Sequence, residues 1–263
     1  MNLPIPILLM ETVQQTQNPG LWGSFVNFLK GILEGLYTIT SKIPEPFGGY
    51  GLAIILFTII FRAALLPLDL KSKKANQKIA EIQPELNEIN KKYKNDPEKR
   101  NQKTLELYQK HKINPLGGCL PVLLILPLMF AMLTALNKIA AENIAKEAVE
   151  RFLWIKNVWS PDSPFKDVLN KSIPMLSQGF NGLFILPILA GVTSYYQIKL
   201  SQPSGDNQQM KGFNIMMPLM SVWFCTMYTS AFAIYWVTAN LFQIGQYFVI
   251  KRLNPPVKEG EAK

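Results

Sequence analysis

Residues 51–70 read GLAIILFTIIFRAALLPLDL. The stretch has about the twenty residues that an α-helix needs to cross the hydrocarbon core of a bilayer. One full charge, Arg62, lies inside it with apolar neighbours on both sides. An arginine near the middle of a span costs roughly 2.5–3.5 kcal/mol on insertion scales. Such a residue needs water, a counter-charge or a function. None of the other long apolar stretches contains Asp or Glu, so the counter-charge does not come from another span. What is left is a water-filled recess or a partner from outside.

The chain has 263 residues, 27 Lys and Arg against 18 Asp and Glu, and 48% apolar residues. That apolar fraction is ordinary, but its distribution is not. Apolar residues gather in blocks of about 16–21 with charges between them, the pattern of a polytopic helical membrane protein. The net charge of +9 fits a membrane protein with basic cytoplasmic loops. No module that would present a basic patch to nucleic acid is visible. Cys119 and Cys225 both fall in apolar stretches and read as small apolar residues, not as a disulfide or metal pair. The single histidine, His111, lies in a basic loop. No metal, haem or nucleophile constellation assembles from these residues, and no glycine-rich phosphate loop is present. No cofactor and no enzymatic activity are expected.

Upstream of the opening stretch, Leu3–Met10 is too short for an ordinary signal sequence and lacks a basic start. Trp22–Ile43 reads as an amphipathic helix lying along the membrane surface. Phe25, Leu29, Ile32, Leu33, Leu36 and Ile39 recur at helical spacing, and Lys30 and Glu34 form an i,i+4 pair. The alternative is a sixth span. Pro44, Pro46 and the pair Gly48-Gly49 then break the chain.

Downstream, Pro67 is expected to end the first helix, because the residue before a proline disfavours helical geometry. Asp69–Lys112 is the most polar part of the chain, with twelve Lys or Arg and seven Asp or Glu. Ile79, Ile82, Leu86, Ile89 and Tyr93 form a heptad-like stripe. Asp96 and Pro97 read as cap and first residue of a second helix carrying Leu105 and Tyr108, so the segment predicts a helical hairpin. Asn114-Pro115 opens a second span, Gly117-Gly118 permits close helix approach, and Pro121 and Pro127 should bend it. An amphipathic piece is expected over Ile139–Trp154, with Trp154 and Trp159 at the membrane interface.

The expected fold is all-α: five transmembrane helices over 51–68, 116–136, 182–200, 213–229 and 231–250, with an interfacial helix over 22–43. The core covers 50–250, the cytoplasmic hairpin 69–115, and a short tail 251–263. Lys and Arg number twelve in the hairpin, two in 199–211 and four in the tail, against two in 1–49 and six in 137–181. That asymmetry places the N-terminus outside and the C-terminus in the cytoplasm.

Several spans are short, which with the prolines and Arg62 suggests a thinned, partly hydrated site. Trp236, Asn240 and Gln243 share one face of the last span, and Gln197 near the inner end of the third is a further wall candidate. Met129, Met132, Met216, Met217, Met220 and Met227 fill gaps or offer an adaptable apolar surface.

Three segments taken together carry a resemblance: FRAALLPLDLKSKKANQKIAEIQPELNEINKKY, NPLGGCLPVLLILPL and AIYWVTANLFQIGQ. In this order they resemble the YidC-type membrane protein insertase family, over nearly all of residues 20–252. The resemblance implies a five-helix core with a hydrophilic groove, open to the cytoplasm and to lipid and closed outside. In it Arg62 matches the groove arginine, and Trp236, with Tyr235 beside it, matches the aromatic position where nascent chains pass. Many members carry Gln where this chain has Ile125, which shifts the polar load to Arg62. The chain resembles the compact type without a large outer domain, and its tail is too short for tail-based ribosome docking.

The function this implies is insertion and chaperoning of small membrane proteins at a bacterial plasma membrane. Nascent membrane proteins and lipid are the partners, the ribosome and Sec translocon are further candidates, and the monomer is the unit. Two rivals stand beside it. One is a secondary transporter for an anionic solute held by Arg62. The other is a passive assembly scaffold that uses the hairpin.

Overall fold

The structure, a computed structural model, describes residues 20–112, 120–163, 181, 183–201 and 208–253. The segments 1–19, Asn114-Pro115, Gly117-Gly118, Cys119, 164–180 and 254–263 lie outside the described residues, as do the side chains of Pro121 and Ile125.

Among the described residues the architecture is all-helical. The helices are α1 (Leu21–Thr40), α2 (Gly49–Glu81), α3 (Gln83–Lys92), α4 (Pro97–Lys110), α5 (Leu120–Ala145), α6 (Ile185–Ser201), α7 (Gln208–Met227) and α8 (Ser230–Leu253). The one β feature among them is an isolated bridge between Phe152 and Ile155. Helix α1 packs on α2 and α5, α2 packs on α8, α8 on α6, and α6 on α7. The approach of α6 to α7 is close because residue 191 is glycine. A Cβ there would stand 2.5 Å from Val222 Cγ2.

The core is built from Leu29 and Leu33 of α1, Ile54 and Phe57 of α2, Met132 and Leu136 of α5, and Phe232 of α8. The outer surface is also apolar: Ile59, Ile60, Phe130, Ile188, Val192, Leu219, Trp223, Leu241 and Phe248 all face outward. Meanwhile Arg62, Thr193, Ser194, Asn240 and Gln246 are buried. Apolar groups outside and polar groups inside suit a lipid environment and not a water-facing surface. Gly49–Leu70 is long and apolar enough to cross a membrane, and Asn214–Met227 is a shorter apolar helix.

Helix α2 does not stop at Pro67 but runs on to Glu81. The proline removes one hydrogen bond, to the Ala63 carbonyl, while helical bonds on either side persist. Helix α5 likewise passes the expected end at Leu136 and takes in Ile139–Ala145. Ile139 and Ala140 are buried there, Lys138 donates to Asn27 at 3.1 Å, and Glu142 pairs with Lys30. The amphipathic piece expected over Ile139–Trp154 is therefore cut at Ala145, and Glu147 turns the chain with a positive φ of 53°. Trp154 is exposed, whereas Trp159 is 1% exposed and sits edge-on to Tyr50 at 4.7 Å. The loop folds back over the bundle end and holds it there, as Val158 O accepts from Ala231 N at 2.8 Å.

In α1, Val26, Leu29 and Leu33 are buried against the bundle, while Ile39 points away. Lys30 contacts both Glu34 and Glu142, and these carboxylates hold its pKa above the usual value against the lowering effect of burial. At the other end of α2, α3 and α4 pack together around Ile82, Leu86 and Leu107, with Ile79, Ile89 and Tyr108 at the edge. Leu107, not Leu105, faces this small core; Leu105 is 53% exposed. The turn is as expected: Asp96 Oδ1 accepts from Lys99 N at 3.1 Å and Pro97 opens α4. Glu85 meets Lys110 at 3.8 Å and His111 at 3.3 Å.

Candidate functional site

Arg62 lies one turn before Pro67 on α2 and is only 5% exposed. Its partner comes from α8. The Gln243 amide sits between Arg62 and Gln197, and its neighbours assign its orientation. With the oxygen toward Arg62 it accepts from Nη1 at 3.0 Å and Nη2 at 3.1 Å, and its nitrogen faces the Gln197 amide 2.8 Å away. A guanidinium carries five donors, of which this amide takes two. None of the ion pairs among the described residues includes Arg62. The charge is thus met by a neutral dipole.

One turn toward the loop end, α8 is pinned to α6 by hydroxyls. Asn240 Nδ2 donates to Ser194 Oγ at 2.9 Å and to Thr193 Oγ1 at 3.2 Å. Trp236 Nε1 donates to the same Ser194 Oγ at 3.0 Å. Tyr235 is buried on the neighbouring face of α8. Arg62, Tyr235, Trp236, Asn240, Gln243 and Gln197 therefore form one continuous polar and aromatic region across α2, α6 and α8.

Three residues in this region were not singled out by sequence reasoning. Thr193 and Ser194 stand four and three residues before Gln197 in an apolar run, and that spacing is the signal that could have found them. Gln246 follows Gln243 by three residues, is 6% exposed, and has no hydrogen-bond partner on either amide atom among the described residues. No group of metal-ligating side chains is present among the described residues.

At the opposite, loop end lies a second buried polar knot. Asn181 Oδ1 accepts from Asn157 N at 2.7 Å, while its Nδ2 faces Asn157 O, Ser160 O and Ser230 Oγ at 2.6, 2.8 and 2.9 Å. Asp162, 1% exposed, accepts from Phe184 N at 2.9 Å and Leu186 N at 3.3 Å. A carboxylate at the start of α6 satisfies free N–H groups and complements the helix dipole.

Comparison with known proteins gives a consistent result. The sequence profile described as "60Kd inner membrane protein" matches residues 42–258. A "Membrane protein insertase YidC" of Clostridium tetani is 39% identical over 218 residues, 82% of this chain and 87% of that protein. One of Fusobacterium nucleatum is 38% identical over 229 residues, 86% and 97% of the two chains. One of Leptospira interrogans is 33% identical over 257 residues, 97% of this chain but 38% of that longer protein. A solved structure described as "Active YidC insertase crystal structure with the first transmembrane domain resolved" shares the fold at a TM-score of 0.61 and 23% identity, over 92% of this chain and 50% of the other. The apolar exterior, the buried arginine and these matches agree, and the chain belongs to the 60Kd inner membrane protein family of bacterial membrane proteins.

Proposed function

We propose that this protein inserts small membrane proteins into a bacterial plasma membrane and chaperones them there. The observation that carries the reading is a buried arginine in a membrane-length helix, held by a neutral amide. A positive charge with free donors attracts an acidic, hydrophilic segment at the start of a substrate. Thr193, Ser194, Asn240 and Gln243 offer that segment hydrogen bonds in place of water. Its apolar segment moves along the exposed faces into lipid, and burial of apolar surface drives the step. The residues form and break no covalent bond.

The finer reading is a five-span core over α2 and α5–α8, with α1 at the interface and the α3–α4 hairpin in the cytoplasm. The N-terminus is then outside and the C-terminus inside. Nascent membrane proteins are the substrates, the ribosome and Sec translocon are candidate partners, and the monomer is the working unit.

The test is reconstitution into vesicles with a small substrate whose translocated segment is acidic, read by protection from protease. Arg62→Glu is expected to lower the protected fraction more than tenfold, because it reverses the attraction, and Arg62→Lys to retain part of it. Full protection with Arg62→Glu would sink the mechanism. Cysteine labelling by a polar reagent at Asn240→Cys, with Cys119 and Cys225 replaced, tests the orientation. Labelling from the inner face alone supports it, and labelling from both faces points to a pore.

A further inference from the structure

Gln246 is a polar side chain of α8 to which no role has been given. It is more than nine-tenths buried, and neither Nε2 nor Oε1 has a partner among the described residues. Tyr235, Ala239 and Gln246 are spaced 4 and 7 along the helix, so they lie on one stripe, and all three are buried. Gln243, whose amide meets the Arg62 guanidinium, precedes Gln246 by three residues, and α8 packs against α2. Gln246 therefore stands one turn beyond the Arg62–Gln243 pair, about 4.5 Å further toward the hairpin end.

A buried amide with both atoms unmatched is complementary to one chemical group above others. Its oxygen accepts and its nitrogen donates side by side, which complements the N–H and C=O that one residue of an extended chain presents to the same side. We propose that Gln246 is a substrate-binding residue that hydrogen-bonds the main-chain N–H and C=O of one residue of the hydrophilic segment as it passes Arg62. The recognised chemistry is the backbone amide, so the contact is independent of substrate sequence. Arg62 then selects acidic segments, and Gln246 holds any segment. The inference rests on the insertase reading.

The experiment uses the full chain in vesicles with two substrates, alike except that the translocated segment is acidic in one and neutral in the other. Gln246→Leu replaces the unmatched amide by an apolar group of similar size, and Gln246→Asn keeps the chemistry on a shorter arm. With Gln246→Leu the protected fraction is expected to fall about fivefold for both substrates, the loss of one to two hydrogen bonds, with partial recovery in Gln246→Asn. An unchanged yield overturns the proposal, and so does a loss confined to the acidic substrate. Disulfide crosslinking to a stalled substrate carrying a single cysteine separates the two levels of the argument. Crosslinks from Trp236→Cys but none from Gln246→Cys end this inference and leave the insertase reading standing. Crosslinks from neither, in protein with an unchanged melting temperature, end both.

Discussion

The bundle holds two buried polar regions, and they are built to different rules. At the loop end, Asn181, Asn157, Ser160, Ser230 and Asp162 meet their needs largely from one another and from backbone groups, at 2.6–3.3 Å. Buried carboxylate and amide alike are matched. Midway along the bundle, Arg62 keeps donors beyond the two that Gln243 takes, and Gln246 is matched nowhere among the described residues. Satisfied amides and carboxylates favour one structure; beside the knot Trp159 Nε1 and Thr229 Oγ1 lack partners among the described residues, but Gln246 is open on both amide atoms. The knot ties an irregular segment to the starts of α6 and α8, whereas the second region lies between the helices themselves.

The comparison predicts opposite effects for polar-to-apolar changes in the two regions. The largest loss of stability is expected for Asn181→Leu. It leaves Asn157 N and the Ser160 carbonyl with fewer partners, and about 3 kcal/mol is expected from two or three buried groups at 1–3 kcal/mol each. A melting temperature in detergent within a degree of the parent protein would break the comparison. Asp162→Asn follows, at about 1–2 kcal/mol, because the helix start loses a charged acceptor but keeps a neutral one. Insertion per folded molecule should stay unchanged in both.

Asn240→Leu sharpens the contrast from the other side. Thr193 already bonds the Leu189 carbonyl at 2.7 Å, and such back-bonding lets hydroxyls tolerate loss of a partner. Stability is expected to change by less than about 1 kcal/mol while insertion falls, and a large drop in melting temperature would place Asn240 with the structural knot. An effect on stability with none on insertion is expected away from both, at Tyr37, whose hydroxyl donates to Glu150 at 2.7 Å. Burial and then this bond push its pKa up to about 12 from 10. The neutral form is favoured in the folded state, so its contribution is complete below about pH 10 and is lost as pH rises toward 12. Tyr37→Phe should cost about 1 kcal/mol at pH 7, and alkaline melting curves of the two proteins should converge.

Arg62, Asn240 and Gln243 were legible because a charge or amide in an apolar run is costly, and helical spacing says which of them face together. The all-helical fold was legible for the same reason, from the length of those runs. Thr193 and Ser194 were not, because hydroxyls in helices usually bond their own backbone and leave no mark on the pattern. Gln246 lies off the stripe that Trp236, Asn240 and Gln243 define. The loop-end knot joins residues 21 to 70 positions apart through an irregular segment, where no periodicity exists to read. The burial of Trp159 was hidden by the same loop, which folds it against Tyr50. Pro67 misled because the pre-proline bias is a local preference, and a long helix on both sides overrides it.

That proline has a mechanical meaning. Helix α2 is a single shaft of 33 residues, about 50 Å at 1.5 Å per residue, with Arg62 near its middle and the α3–α4 hairpin at its tip. The rung missing at Pro67, just beyond Arg62, makes the shaft compliant there. A bend there would displace the hairpin and leave the Arg62–Gln243 contact in place, as a wrist lets the hand move without turning the forearm.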